Sequence, residues 1–286
     1  TGPIPRGRAL PVPSARLTRV LRLGGVAPGI AAGAAARGLG GLARGERPAF
    51  GELMLTPGNL ARLADELARL RGAAMKMGQL LSMDTGELLP PELSQVFARL
   101  RAEADHMPPR QLRDVLEAEW GRTWLKRFRR FDVRPIAAAS IGQVHKAETT
   151  DGRVLAIKVQ YPGVRRSIDS DVANVGWLIR RSGLMPEGVD LEPFLAEARR
   201  QLHEEADYAR EGEMLDRFSR LLADDEGFAV PALDRALTTD TVLAMTYLPG
   251  EPVEEMTALP QAVRDDIVRR LLDLMLRELF EFGLVQ

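Results

Sequence analysis

The sequence of 286 residues contains no cysteine and only three histidines. The absence of cysteine excludes a disulfide framework, thiolate metal sites and a cysteine nucleophile, and it is typical of a reducing compartment. The histidines, His106, His145 and His203, lie far apart along the chain. We therefore expect no histidine-built metal site, and we interpret each histidine as an ordinary surface or packing residue.

Long apolar segments are also lacking. The Gly/Ala-rich stretch GGVAPGIAAGAAARGLGGLARG is only weakly apolar and is interrupted by Pro28 and Arg37, so it makes a poor membrane span. The same region does not have the charged start, apolar core and cleavage site of a secretory signal. We expect a cytoplasmic protein and leave open a peripheral contact with the inner membrane.

Charge is distributed unevenly along the chain. Residues 1–50 contain eight arginines and one acid, Glu46, which gives a net charge of +7, and the remainder carries −8. A basic arm of this kind can meet an anionic membrane surface or nucleic acid. A solvated tail is the commoner outcome and the one we favour, and we do not expect nucleic acid as a partner.

The pattern of apolar residues changes character along the chain. Apolar residues recur at helical spacing from Leu60 to Leu81, and paired prolines open two further helices, PPELSQVFARL and PPRQLRDVLEAEW. After Phe131, two alternating apolar runs meet at Asp151-Gly152, which predicts an antiparallel hairpin. Later segments predict helices over about 164–182, 191–222 and 260–282, and strands in FAVPAL and TVLAMTYL. This order predicts an α+β fold, arranged from residue 137 onward like a protein-kinase small lobe leading into its large lobe.

A single lysine lies in the second run of the hairpin. Because side chains alternate along a strand, Val154, Ala156 and Lys158 share one face, opposite the face of Leu155 and Ile157. In protein kinases, a lysine in this position neutralises nucleotide phosphates, and the alanine two residues earlier leaves room for adenine. Taken alone, however, this pattern is a weak signal, because a lysine on an exposed strand face is common.

Acidic residues cluster in the segment HEEADYAREGEM, within the predicted helix over 191–222. A solvated acidic face is the usual explanation for such a cluster. In a continuous helix, Asp207 and Glu211 share a face, whereas Glu205 lies on the other side of Glu211. Because kinases pair the strand lysine with a helical glutamate, we interpret the two acidic faces as serving two partners.

Glycine is scarce in the segment that precedes the hairpin strand. A phosphate-covering kinase loop needs several glycines so that backbone N–H groups can approach the phosphates. Residues 137–144 read AAASIGQV, with one glycine among three alanines. The segment is either a plain strand start or a loop that handles nucleotide in an unusual way.

The early helix carries the motif Lys76-Met77-Gly78-Gln79. Lys76 and Gln79 lie near each other on the helix surface, and Gly78 lowers helix stability by roughly 1 kcal/mol relative to alanine. This glycine is either accidental or allows another backbone to approach closely.

Taken together, K-x-G-Q, A-A-A-S-I-G-Q-V, A-I-K-V-Q-Y-P-G-V and E-x-D-Y-x-x-E resemble the UbiB family of AarF-domain atypical kinases, which is linked to ubiquinone biosynthesis. The motifs occur in family order over about residues 46–286. The resemblance implies a protein-kinase-like small lobe with an N-terminal helical extension and the start of the large lobe. The implied parts are a basic arm over 1–45, a helical extension over 46–130, the small lobe over 131–248 and the start of the large lobe over 249–286.

The resemblance also implies a nucleotide site. Lys158 is similar to the nucleotide-binding lysine of the family, and Glu211 to the glutamate that pairs with it. The bound cofactor is expected to be ATP or ADP. The other residues implied at this site are Ala137, Ala138, Ala139, Ser140, Val144, Ala156, Met245, Tyr247 and Leu248.

Regulatory residues are implied in the same way. Lys76 and Gln79 match the K-x-G-Q pair, whose helix lies over the cleft where a kinase would bind a protein substrate. Glu205 and Asp207 match the E-x-D motif, which faces that helix. We therefore expect Lys76 to lie near Glu205 or Asp207.

The catalytic loop of the family, its metal-binding asparagine and the D-F-G aspartate are expected just beyond Gln286 and are not in this sequence. The Glu281-Phe282-Gly283 segment superficially resembles D-F-G, but it closes a periodic helix and is interpreted as packing and a glycine stop. No catalytic or metal-binding residue is therefore assigned, and magnesium is expected only with that further segment.

Two functions remain open at this stage. The first is the adenine-nucleotide-binding portion of a UbiB-like kinase or ATPase that supports ubiquinone biosynthesis, inactive by itself, with quinone-biosynthesis proteins and lipid precursors as partners. The alternative is a non-catalytic regulatory or interaction module that binds nucleotide, lipid or a biosynthetic complex. Whether the chain is an enzyme is left undecided.

Overall fold

A computed structural model describes residues 64–65, 67, 70–83, 106–182 and 189–285 of the chain. The basic arm, the predicted helix in PPELSQVFARL and the start of the early helix lie outside the described residues. Six α-helices are present in the described part. They are α1 (Arg71–Met83), α2 (Pro109–Trp120), α3 (Val164–Ser182), α4 (Glu192–Glu205), α5 (Tyr208–Leu221) and α6 (Gln261–Arg277).

One antiparallel sheet lies at the centre of the described structure. Its strands are β1 (Phe128–Phe131), β2 (Ala137–Ala138), β3 (Gly142–Thr149), β4 (Val154–Gln160) and β5 (Val242–Thr246). The order across the sheet is β1-β3-β4-β5, and β2 pairs with the start of β3. Strand β1 follows a short 3-10 helix, Trp124–Arg127, and was not expected from the sequence.

The predicted hairpin is present as β3 and β4. Gly152 has φ of 91°, a left-handed conformation that favours glycine in the connecting turn. The Arg153 backbone N–H donates a 3.0 Å hydrogen bond to Thr149 Oγ1 and closes the turn. The hairpin prediction is therefore confirmed, and the structure adds its register, in which Val144 pairs with Lys158.

The two faces of the sheet are buried by different elements. Leu155 and Ile157 of β4 pack against a cluster built by α2 and the aromatic residues that follow it. The opposite face packs against α5, and Leu243 of β5 is buried in this contact. Lys158 lies on this second face and is half-buried, so the predicted alternation of the strand is confirmed.

The predicted helix over 191–222 is wrong as a single element. It breaks at Ala206-Asp207 into α4 and α5, because Asp207 has non-helical dihedral angles and its carboxylate accepts a 3.0 Å hydrogen bond from the Arg210 backbone N–H. Asp207 thereby caps the first turn of α5, a position that aspartate favours. The argument that Asp207 and Glu211 share one face of a continuous helix is corrected accordingly.

The FAVPAL strand prediction is also wrong. The segment forms a single bridge, between Leu233 and Met245, while TVLAMTYL supplies strand β5. The last helix, α6, continues into a π-helical turn, Glu278–Phe282, and ends at Gly283 with φ of 55°. This left-handed residue confirms the predicted glycine stop.

Helix α6 has much apolar surface and little burial. Within it, Leu274 is buried against Phe218 and Leu222, whereas most of its other apolar side chains are exposed. No helix in the described ranges combines the length and the apolar character required to cross a lipid bilayer.

Candidate functional site

The side chains of Lys158 and Glu211 form an ion pair between β4 and α5. Lys158 Nζ lies 2.6 Å from Glu211 Oε1 and 2.8 Å from Oε2, so both carboxylate oxygens accept hydrogen bonds from the same ammonium. The side chains are 18% and 35% exposed, which leaves the pair accessible from one side. The predicted contact is present across 53 residues of sequence.

Tyr208, the first residue of α5, forms an aromatic floor beneath this pair. Lys158 Nζ lies 4.8 Å from the centre of the Tyr208 ring, close enough for a cation–π interaction. The ring is fully buried, and burial raises the pKa of Tyr208 well above its usual value, with a further contribution from the charge of Glu211. Lys158 is thus held by a carboxylate and a neutral phenol ring.

A glycine sets how closely α5 approaches the sheet. A Cβ atom on Gly212 would lie 3.1 Å from Leu233 Cδ1 and 3.4 Å from Leu243 Cδ1. Because Gly212 follows Glu211 directly, the close packing at this turn fixes the distance from Glu211 to the lysine on β4.

The alanine-rich segment forms a tight turn beside the lysine. Strand β2 pairs with β3, and the Ala139 backbone N–H donates a 2.9 Å hydrogen bond to the carbonyl of Gly142. The turn ends at Gly142, and Val144, two residues later on β3, pairs with Lys158. The segment is therefore both a strand start and a turn next to the ion pair.

The one glycine of this segment has a packing role. A Cβ on Gly142 would lie 2.5 Å from the carbonyl oxygen of Val159 and 2.8 Å from the hydroxyl of Tyr208. Real Cβ atoms do not approach other heavy atoms so closely, which explains why no larger residue fits. Gly142 therefore brings the turn, the end of β4 and the aromatic floor together.

Glu205 joins the early helix to the alanine-rich turn. One carboxylate oxygen forms an ion pair with Lys76, and the other accepts a 2.5 Å hydrogen bond from Ser140 Oγ. The Lys76 side chain is only 14% exposed and that of Glu205 is 31% exposed, so the junction is partly shielded from solvent. The predicted proximity of Lys76 to Glu205 is present, while Asp207 serves as the cap of α5.

Helix α1 lies directly against the alanine-rich turn. A Cβ on Gly72 would lie 2.7 Å from Ile141 Cγ2 and 3.2 Å from the Ser140 carbonyl oxygen. A close approach of this kind is therefore present at Gly72, six residues before Gly78, and the one considered for Gly78 stays a prediction. Gln79, the second polar residue of the K-x-G-Q motif, is exposed.

Residues 245–248, which the family resemblance implies as the hinge segment that contacts adenine, lie beside β4. Met245 pairs with Ala156, and the Tyr247 backbone N–H donates a 3.0 Å hydrogen bond to the Val154 carbonyl. Ala156, Met245 and Tyr247 are half-buried, whereas Leu248 is exposed. The structure thus brings together the lysine, the glutamate, the turn and the hinge along one face of the sheet.

Sequence reasoning missed Tyr208, Gly72, Gly142 and Gly212 as parts of this site. Their signals were present: Tyr208 lies between Asp207 and Glu211 in E-x-D-Y-x-x-E, Gly72 and Gly212 lie within helices, and Gly142 is the one glycine of the alanine-rich segment. Among the described residues, no group of three or more histidine, aspartate or glutamate side chains is arranged to hold a metal ion.

Comparison with known proteins decides the family. A family model described as the ABC1 atypical kinase-like domain matches residues 99–286. The chain belongs to the ABC1 atypical kinase-like family. The mitochondrial atypical kinase COQ8 of Saccharomyces cerevisiae is 39% identical over 275 residues, and the mitochondrial atypical kinase COQ8B of Rattus norvegicus is 41% identical over 290 residues. These matches confirm the resemblance to UbiB-family atypical kinases.

The extent of the matches differs between this chain and its relatives. The alignments cover 96% and 98% of this chain but only 55% and 54% of the two relatives. The chain therefore spans about half the length of the curated relatives it matches. A solved structure described as a complex of Rv3197 with erythromycin, from Mycobacterium tuberculosis, has a TM-score of 0.50 and 29% identity, covering 74% of this chain and 54% of that one. Family and structure together confirm the α+β protein-kinase-like fold.

Proposed function

We propose that this chain binds an adenine nucleotide, ATP or ADP, as the nucleotide-binding portion of a UbiB-like atypical kinase or ATPase. The observation that carries the proposal is the bidentate ion pair between Lys158 and Glu211. The pair is partly exposed to solvent and lies next to the alanine-rich turn. A lysine held in this way is oriented for a phosphate group, because the glutamate fixes its direction.

The surrounding residues fit such a ligand. Ala156 has the smallest side chain on the open face of β4 and leaves room for a flat base beside the hinge segment that contains Met245. The turn that contains Ser140 lies on the phosphate side, next to Lys158. In this arrangement Lys158 binds phosphate, Glu211 orients the lysine, and the Tyr208 ring keeps water away from the inner side of the ammonium.

The proposal for the chain of 286 residues is nucleotide binding without turnover. Phosphoryl transfer needs oxygen ligands that hold magnesium between the phosphates. Since the described residues contain no cluster suited to a metal ion, none of them is assigned to that step. We expect steady ATP hydrolysis only from a longer chain that includes further residues beyond Gln286.

Direct binding measurements test the proposal. Lys158→Met should lower the affinity for ATP at least tenfold, and Glu211→Gln should lower it by a smaller factor, because the lysine remains but loses its orientation. Lys126→Met is the matched control, since Lys126 is exposed on the short 3-10 helix. Equal affinity for ATP in the wild type and Lys158→Met would contradict the proposal.

The relatives suggest a biological setting. Two of them are named atypical kinase COQ8 or COQ8B, mitochondrial. By analogy with the family, we propose a role in ubiquinone biosynthesis, with biosynthetic proteins and lipid precursors as partners and with peripheral membrane contact. A strain that lacks the gene should accumulate quinone precursors, and a complementing gene with Lys158→Met should fail to restore quinone levels.

A regulatory module is the second candidate, and the Lys76–Glu205 contact favours it. This ion pair holds α1 against the alanine-rich turn. In that position the helix would block access to the site, and it would not help to bind a protein substrate. In this alternative the nucleotide changes how α1 is held and is not hydrolysed. Nucleotide binding by a longer chain that shows no hydrolysis would favour the module over the ATPase.

A further inference from the structure

Lys146 and Tyr247 form a second cation–π pair on the face of the sheet that carries Lys158. Lys146 Nζ lies 4.1 Å from the centre of the Tyr247 ring, close enough for a direct interaction. Lys146 comes from the middle of β3, and Tyr247 from the hinge segment after β5. Both residues are half-buried, so the pair is neither a core contact nor a free surface contact.

Strand register places this pair at the other end of the candidate site. Lys146 pairs with Ala156, and Val144 pairs with Lys158, so the two lysines are diagonal neighbours on one face of the hairpin. Diagonal neighbours in an antiparallel pair lie about 7–8 Å apart. Ala156, which lies opposite Lys146 and two residues before Lys158, has a small side chain that leaves space beside both lysines. The two cations are therefore placed to contact different parts of one extended ligand.

The ammonium of Lys146 is held by an aromatic ring. Within the described ranges it has no carboxylate partner, and Glu148, the next residue on the same face of β3, pairs with Arg129 at 2.8 Å. A ring contact orients a lysine but takes up none of its three N–H donors in a strong hydrogen bond. Lys146 therefore keeps donors for an acceptor placed over Ala156.

We propose that Lys146, positioned by Tyr247, is a second ligand contact that donates a hydrogen bond to the nucleoside half of the bound nucleotide. This inference rests on the proposed function, in which Lys158 binds the phosphates. Ring nitrogens of the base and hydroxyls of the ribose are the acceptors available at that end. Lys146 contributes to recognition of the nucleoside, and Lys158 contributes to recognition of phosphate.

Inorganic tripolyphosphate separates the two ends of the site, because it carries the phosphate chain without a nucleoside. The dissociation constants of ATP and tripolyphosphate are measured by calorimetry for the 286-residue chain and its variants. Lys146→Met should lower the affinity for ATP about tenfold, the effect expected from the loss of one charged hydrogen bond. The affinity for tripolyphosphate should not change. Lys158→Met should lower the affinity for both ligands.

Variants of the aromatic partner test the positioning role. Tyr247→Leu should lower the affinity for ATP, as Lys146→Met does. Tyr247→Phe should bind ATP like the wild type, because it keeps the ring that holds the lysine. The double variant Lys146→Met with Tyr247→Leu should be no weaker than Lys146→Met alone. Unchanged thermal unfolding midpoints would show that the variants are folded.

The outcomes distinguish this inference from the proposed function. Unchanged ATP affinity in Lys146→Met, with loss in Lys158→Met, overturns the inference and leaves the proposed function intact. An equal loss of affinity for ATP and tripolyphosphate in Lys146→Met would place Lys146 at the phosphates, and that result would also overturn the inference. Absence of ATP binding by the wild-type chain would overturn the proposed function itself.

Discussion

Ser140 Oγ donates a 2.5 Å hydrogen bond to Glu205 Oε2 and thereby ties the alanine-rich turn to the end of α4. The other oxygen of the same carboxylate pairs with Lys76 of α1. Because one carboxylate serves both partners, a change on either side is transmitted to the other. Glu205 thus links the helix that carries the K-x-G-Q motif to the turn beside Lys158.

The first prediction concerns this shared carboxylate. Lys76→Ala and Ser140→Ala should each destabilise the fold by about 1 kcal/mol, since each removes a partly shielded charged contact. The double variant should be non-additive, because both changes act on Glu205. Urea unfolding of the two single variants and the double variant measures the coupling.

A control for this cycle is available on the exposed side of α4. Arg200 is exposed and pairs with Glu197 and Glu204, and among the described residues no hydrogen bond or ion pair joins it to the turn. Arg200→Ala combined with Ser140→Ala should be additive. Lys76→Ala should also alter ATP affinity if α1 covers the site, so an unchanged affinity would argue against a covering role for this helix.

The second prediction concerns pH and the buried His145. Burial lowers the pKa of His145 to about 4, against an ordinary value of 6.5. The ring is hydrogen-bonded on both sides, at 2.8 Å to the Asp132 carbonyl and at 2.8 Å to the Gln143 amide. With Nδ1 donating to the carbonyl and Nε2 accepting from the amide, the neutral ring is fully satisfied.

Protonation of His145 in the unfolded chain opposes folding at low pH. Since the folded pKa lies below the unfolded one, the stability contributed by the neutral ring is complete above pH 6.5 and is lost as the pH falls towards 4. Linkage for this single group gives a loss of about 2 kcal/mol between pH 7.5 and pH 5. Urea unfolding at the two pH values checks this, and His145→Gln should remove most of the difference.

The third prediction concerns Gly142. Its substitution by alanine places a Cβ 2.5 Å from a backbone oxygen of β4, so backbone must shift, and we expect a loss of about 2 kcal/mol or more. Gly250→Ala is the matched control, because nothing lies within 4 Å of its Cβ position. Thermal unfolding should separate the two variants clearly, and equal midpoints would contradict the packing role of Gly142.

The fourth prediction concerns the floor beneath Lys158. The Tyr208 hydroxyl is buried and has no hydrogen-bond partner among the described residues, so Tyr208→Phe should leave stability unchanged or raise it by up to about 1 kcal/mol. Tyr208→Leu removes the ring beneath the ammonium and should weaken ATP binding several-fold. A weaker ATP affinity in Tyr208→Phe would instead assign a ligand contact to the hydroxyl.

Much of the fold follows from local patterns. The hairpin, the side of β4 that carries Lys158, helix α3 and the glycine stop after α6 were all predicted, because periodicity and turn chemistry act over a few neighbouring residues. The break between α4 and α5 was not predicted. The helical pattern continues through Ala206, and only the cap made by the Asp207 carboxylate shows that a new helix begins.

The sequence by itself determined the family, the α+β fold and the candidate pair of Lys158 and Glu211, since these depend on ordered motifs and short-range periodicity. Tertiary structure alone decided that Lys76 pairs with Glu205 and not with Asp207, that Ser140 shares this carboxylate, and that Lys146 faces Tyr247. Such contacts join residues far apart in the chain, so they depend on how closely whole elements pack, and no local pattern encodes that distance.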